Sequence, residues 1–342
     1  MTKKKAIIHI GGHKTGTSAI QAFCVLNADR LQQMGIIYPL ELVSQVDRMG
    51  GQAHHCLVNL FMDATTFWKS FNLRPKSMAD SDIVSHLRSL PRDENILLSS
   101  ENLVWLDKES IGTLKQILDG YDVYVVLYVR RQDDALQAIY QTVVSSIGES
   151  KNFDEYTSNV VRVLFEYDRI AETWQSVFGV GKVVVRVYEP NQLHRGDTIL
   201  DFIHVLENIL QTQIDISDWD RNSGTVNRGL PAHITALIRY HNSLPSKKWI
   251  VPAIIKIAMR LYKDSCGTYE IIPPSQRKEL LESFAESNEN LALKLLGRED
   301  GILFHDLSIK QTDKEWNDKY NRKGGHLRLL LGDIIAQLKA QK

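Results

Sequence analysis

The sequence predicts an α/β protein, a P-loop NTPase-like parallel sheet flanked by helices with a helical C-terminal region. Three observations carry this. Short, nearly continuous apolar runs alternate with helical patterns up to about residue 215, as they do when helices cover both faces of a parallel sheet. A glycine-rich turn joins the first run to the first helix, a place where such sheets bind anions. After about residue 215 strand patterns stop and helical ones continue.

Residues 6–10 form a first strand, and residues 17 to about 33 a helix closed by Gly35. A short strand at 35–39 and a third at 95–99 follow. Asp107 caps a helix around 111–118 that Gly120 ends. The run 121–129, rich in Val and Tyr, is the strongest strand and leads into a helix over 133–146. A helix over 168–178 stops at Gly179, a strand occupies 182–188, and a helix spans 198–210. Pro231 opens a helix over 232–241 as its first helical residue. Residues 275–296 place Leu280, Leu281, Phe284, Leu291 and Leu295 on one helical stripe before Gly297. A last amphipathic helix covers 327–338. The expectation is a single domain over 1–342, with a core over 5–215 and a helical lobe over 216–342.

Composition narrows the function. The 342 residues carry 41 Lys+Arg against 41 Asp+Glu, with 43% hydrophobic residues. That balance argues against a general nucleic-acid binder and against an acidic disordered chain, and leaves room for a local basic pocket. Cys24, Cys56 and Cys266 form no CxxC pair, which suggests reduced thiols in a reducing compartment. The run at 6–10 is too short for a signal-peptide core, so a cytoplasmic protein is expected. The stretch 249–262 is interrupted by Pro252, Lys256 and Arg260 and falls short of the roughly 18 apolar residues a membrane span needs. It reads as a core or surface helix, with peripheral membrane contact the minor alternative.

The informative segment is His9-Ile-Gly-Gly-His-Lys-Thr-Gly-Thr-Ser-Ala-Ile-Gln21. Gly11, Gly12 and Gly16 let backbone amides crowd around an anion. The helix start adds unpaired N–H groups and partial positive charge. Lys14 adds a full charge, and Thr15, Thr17 and Ser18 add hydroxyls. The loop is not a Walker A motif: Gly11 and Gly16 have that spacing, but Thr17 stands where lysine belongs. The strands 95–99 and 121–129 run into Ser100-Glu101 and Arg130-Arg131 and lack the Asp that would position magnesium.

The string Lys14-Thr15-Gly16-Thr17-Ser18 resembles the donor loop of the sulfotransferases that use 3′-phosphoadenosine 5′-phosphosulfate (PAPS). That loop reads Lys-[Ser/Thr]-Gly-Thr-[Thr/Ser] and follows the first strand. The resemblance implies that Lys14, Thr15, Gly16, Thr17 and Ser18 hold the 5′-phosphosulfate; Gly12 and His13, in the same loop, are further donor-binding candidates, His13 by approaching the sulfate or the acceptor. It also implies that Lys14 stabilises charge on the transferring sulfuryl group. The family's second element is an Arg after a later strand and a Ser eight residues on, both binding the 3′-phosphate. Arg130 matches the Arg, whereas Ala138 stands at the Ser position, with Gln137, Gln141 or Ser145 as substitutes. The missing contact is worth about 0.5–1.5 kcal/mol for an ordinary hydrogen bond. For Arg131 the simpler expectation is a surface salt bridge with Asp133 and Asp134. Arg322-Lys323 before Gly324-Gly325 resembles the family's late basic loop around the 3′-phosphate. Ser99-Ser100-Glu101, the Tyr188-Glu189 turn and the stretch 284–300 resemble bacterial, carbohydrate-type members.

Transfer to a hydroxyl needs a base. Glu101, at the C-terminal end of a central strand, is the first candidate. His55, with His54 in Gln52-Ala-His-His-Cys56, is the runner-up; a metal site there has little support from the spacing. The resemblance implies PAPS as donor, its 3′,5′-bisphosphate as product, no metal requirement, and a glycan or glycolipid acceptor. The alternatives are a P-loop kinase-like phosphotransferase and a non-catalytic nucleotide- or glycan-binding module. The oligomeric state is not encoded in any pattern.

Overall fold

The computed structural model describes residues 3–43, 52–61, 79–157, 162–221, 229–244, 251–252, 255, 271–309 and 312–315. Strands β1 (Lys5–His9), β2 (Ile36–Ile37), β3 (Asn95–Ser99), β4 (Asp122–Val129) and β5 (Val183–Val187) form one parallel sheet in the order β2-β3-β1-β4-β5. In register, Ile7 lies beside Leu97 and Tyr124, and His9 beside Ser99 and Val126. The chain reaches β3 on one side of β1 and then crosses to β4 on the other. The edge beyond the C-terminal ends of β1, β3 and β4 is therefore a topological switch point, where open α/β sheets bind ligands.

The main helices are α1 (Thr17–Leu26), α2 (Asp80–Ser89), α3 (Lys108–Ile117), α4 (Gln132–Thr142), α5 (Tyr167–Phe178), α6 (Thr198–Leu210), α7 (Ala232–Asn242), α8 (Pro274–Glu282) and α9 (Ala285–Lys294). The predicted α/β class is the observed one. Ile7, Leu97, Val126 and Tyr128 join Ile20 and Phe23 of α1 and Phe202 and Leu206 of α6 in one buried cluster. Ala6, Ile8, Val125 and Leu127 alternate with them, point to the other face and are equally buried. Burying each large aliphatic side chain contributes about 1.5–3 kcal/mol. Asp107 caps α3 by accepting from Ser110 N–H at 2.8 Å, and Asp197 caps α6 by accepting from Ile199 and Leu200 N–H at 2.9 Å.

Four helix expectations change. The helix over 17–33 breaks at Asn27, whose side chain donates to Phe23 O and Asp220 O at 2.8 Å, drawing its backbone out of helical geometry before a second helix, Ala28–Gln33. The helix over 133–146 ends as a π-turn, Val143–Ile147, closed by Gly148 at φ 90°. Pro231 is an extended N-cap residue rather than the first helical one. The helix over 275–296 divides at Ser283, where its hydroxyl donates to Leu280 O at 2.7 Å. The expected helix at 327–338, the pair Arg322–Lys323 and Cys266 lie outside the described residues, as does most of 249–262. No helix among the described residues is long and apolar enough to cross a membrane.

Two compact units emerge. One comprises Met1–Arg130, Val163–Thr225 and Glu286–His305, and holds the sheet. In it, buried Asp201 accepts from Tyr128 Oη at 2.7 Å, His194 N–H at 2.7 Å and Arg186 Nε at 2.9 Å, which ties α6 to β4 and β5. The other comprises Arg131–Arg162, Val226–Ala285 and Asp306–Lys342. In it, buried Asp133 on α4 accepts from Arg131 Nε at 2.7 Å and from Arg277 Nε of α8 at 2.6 Å. Arg277 also reaches Asp134 at 2.7 Å.

Candidate functional site

The loop from Gly11 to Gly16 takes its shape from glycine. Gly11 has φ 41° and Gly16 φ 78°, and Lys14 itself sits at φ 65°, a left-handed conformation uncommon outside glycine. Gly12 packs so close to β4 that a Cβ there would stand 2.4 Å from Tyr128 O. Gly16 is the N-cap of α1 and offers no side chain, so the first amides of the helix lack the usual capping oxygen. Thr15 is fully buried and donates to Gly12 O at 2.6 Å, closing the loop on itself. Thr17 is buried and Ser18 exposed at the helix start.

Arg130, at the end of β4, donates from Nη1 to Lys14 O at 2.8 Å. Its guanidinium lies 5.6 Å from the Tyr188 ring centre, and its carbonyl accepts from Tyr167 Oη at 2.7 Å. The structure thus brings Arg130 to the loop holding Lys14. Arg131, the next residue, makes the buried pair with Asp133 instead. In the second unit Ala138 is buried on α4. Gln137 accepts from Ile271 N at 2.9 Å, and Gln141 from Leu230 N at 2.7 Å, so both amides already have backbone partners.

Glu101 opens the turn after β3, and Gln21 of α1 donates to its Oε2 at 2.8 Å. Burial alone pushes its carboxyl up; the electrostatic interaction with His55, the Gln21 hydrogen bond and the interaction with His13 outweigh it and hold the carboxyl at about 2. Glu101 is therefore ionised at neutral pH. The Lys14 ammonium, unlike its carbonyl, has no hydrogen bond or ion pair among the described residues. Burial lowers its ammonium from the usual lysine range, Glu101 raises it and Arg130 lowers it further.

His54 and His55 separate. His54 is fully buried; its Nε2 lies 3.1 Å from Pro39 O, and Ser99 N–H donates to its Nδ1 at 2.9 Å. Burial drops its ring to about 3, so it is a neutral strut with both nitrogens engaged. His55 turns toward Ser100 and Asn102. Cys56 donates to Leu42 O at 3.0 Å. His9 lies beneath the loop, with Nδ1 2.8 Å from Ser99 Oγ. Its Nε2 and that of His13 are buried without a hydrogen-bond partner among the described residues. Burial lowers both rings to about 4.

Sequence reasoning marked the loop, Arg130, Glu101 and His55. It gave no orienting role to Gln21, Ser100 or Asn102, which hold the last two in place; a polar Gln21 on the buried side of α1 is the signal for the first of them. The arrangement fits an anion. A helix start without a side-chain cap and, among the described residues, an unpartnered ammonium and the orphaned Nε2 of His13 share one loop, and an ionised carboxylate lies within electrostatic reach of Lys14 and His13.

No family model matches the chain. A protein of Archaeoglobus fulgidus described as an uncharacterized protein is 24% identical over 220 residues, 63% of this chain. The match spans 57% of that relative's length. Two solved structures are similar at low identity. A sulfotransferase from Alicyclobacillus acidocaldarius aligns over 87% of this chain and 98% of its own, with 16% identity and a TM-score of 0.45. Retinol dehydratase in complex with androsterone and the inactive cofactor PAP aligns over 84% of this chain and 80% of its own, with 12% identity and a TM-score of 0.34.

Proposed function

We propose that this chain is a PAPS-dependent sulfotransferase acting in the cytoplasm on a hydroxyl, or in second place an amine, of a glycan or glycolipid. The observation that carries the reading is a Lys14 ammonium without a partner among the described residues, held in a glycine-shaped loop at a helix start on the sheet edge that also carries Glu101. When bound, PAPS supplies the sulfuryl group, and its 3′,5′-bisphosphate is the leaving group. Gly12, Gly16, Thr17 and Ser18 hold the 5′-phosphosulfate through backbone amides and hydroxyls, and Thr15 keeps the loop closed around it. Lys14 sets its ammonium against the negative charge that grows on the leaving oxygen. Arg130 contacts the 3′-phosphate while fixing the Lys14 carbonyl. Glu101 takes the acceptor's proton as the acceptor oxygen bonds to sulfur and the sulfur–oxygen bond to the bisphosphate breaks.

The test is transfer of labelled sulfuryl group from PAPS to a panel of glycans and glycolipids without added metal. The reading expects labelled acceptor from the parent chain and almost none from Lys14→Ala. Phosphate transfer from ATP–Mg²⁺ with no sulfuryl transfer would replace it with the kinase-like alternative. Ligand binding without either transfer would leave the non-catalytic module.

A further inference from the structure

Two hydrogen-bond donors converge on one ring nitrogen of His55. Ser100 Oγ lies 2.8 Å from His55 Nδ1, and Asn102 Nδ2 approaches the same atom at 3.2 Å. An amide nitrogen has only hydrogens to offer, so Nδ1 is the acceptor, and the Ser100 hydroxyl rotates to donate as well. A neutral imidazole carries one N–H; with Nδ1 accepting, that proton sits on Nε2. The partners are held in place. Ser100 is fully buried and its N–H donates to His9 O at 3.0 Å. Asn102 is buried in the 3₁₀ turn Glu101–Trp105.

We infer that His55 is a positioning residue that donates from Nε2 beside Glu101 and does not accept the substrate's proton, its tautomer being set by Ser100 and Asn102. Its role rests on the sulfuryl-transfer reading; the tautomer does not. Nε2 already carries a proton, and a second one at Nδ1 would face the Asn102 N–H. Glu101 is then left as the proton acceptor, faced by His55 from the 52–61 segment, His13 and Lys14 from the loop, His9 from β1 and Gln21 from α1.

Long-range ¹H–¹⁵N spectra of the histidine rings test this directly, with His55 assigned by its loss in His55→Gln. At pH 7 the parent chain is expected to show the Nε2–H pattern. In Asn102→Asp, which presents an acceptor to Nδ1, the proton is expected to move to Nδ1. An Nδ1–H tautomer in the parent chain, or an unmoved proton in Asn102→Asp, overturns the inference. In turnover, His55→Gln keeps a donor near the Nε2 position and is expected to lose less than tenfold in kcat/KM. His55→Ala is expected to lose more than tenfold, with the acid limb of its pH profile moved to higher pH. Equal losses in both, of the roughly 10²–10⁴-fold that a general base contributes, would make His55 the base. The spectra need no turnover. A chain with the expected tautomer but no PAPS activity would therefore defeat the sulfuryl-transfer reading and leave the tautomer assignment standing.

Discussion

At one sheet edge, the loop between β1 and α1 is shaped by backbone, whereas the turn after β3 and the 52–56 segment are shaped by side chains. In the loop, Gly11, Gly12 and Gly16 let the backbone turn tightly with Gly12 against Tyr128 of β4, and the Thr15 hydroxyl closes it on Gly12 O. Across the edge, Ser99, Ser100, Asn102 and Gln21 fix His54, His55 and Glu101 through hydrogen bonds that join residues 45 to 80 positions apart. A backbone cradle is suited to hold a phosphosulfate because its donors need no rearrangement. A side-chain cluster is suited to proton transfer because neighbours can tune its charge.

Substitutions probe that contrast, beginning with the largest effect. Glu101→Gln keeps the Gln21 contact region and removes the base, so kcat should fall by about 10²–10⁴-fold with donor affinity nearly unchanged; steady-state kinetics beside donor titration will read it. Lys14→Ala removes one charge-stabilising donor and should cost about 10²–10³-fold in kcat. Its circular dichroism and melting curve should match the parent, because the ammonium holds nothing else in place. Gly12→Ala drives a Cβ toward Tyr128 O and should cost about 1–3 kcal/mol in denaturant unfolding and weaken donor binding more than acceptor binding.

The last effect concerns pH dependence and belongs to the side-chain half. His54 is lowered to about 3 in the folded chain against about 6.5 when unfolded, so its neutral form is favoured by folding. Below about pH 6.5 the unfolded chain takes up a proton that the folded chain refuses. Stability therefore declines as pH falls, by about 1.4 kcal/mol per pH unit from this ring, until roughly pH 3. His54→Gln should flatten the slope of unfolding free energy between pH 6 and pH 4 by about that amount. An unchanged slope would mean that His54 is not the buried neutral strut described.

The backbone half was the more legible. Strand 95–99, helix 198–210 and the loop glycines follow from local rules, since an apolar run, an Asp cap or a left-handed turn each leaves its mark within a few residues. Arg130 was legible by position; that its carbonyl would accept from Tyr167 and its guanidinium meet Tyr188 was not. The adjacent His54 and His55 looked equivalent because their difference lies in partners at Pro39, Ser99, Ser100 and Asn102. The break at Asn27 was hidden for the same reason, since its second acceptor, Asp220 O, is 193 residues away.

The central claim is that the β1–α1 loop is a donor site for a sulfated adenosine bisphosphate. Isothermal titration calorimetry of the full chain with 3′-phosphoadenosine 5′-phosphate, and separately with ATP–Mg²⁺, addresses it most directly. The account predicts saturable binding of the bisphosphate that weakens at least tenfold in Arg130→Ala, and much weaker binding of ATP–Mg²⁺. Tight ATP–Mg²⁺ binding with none of the bisphosphate would contradict it.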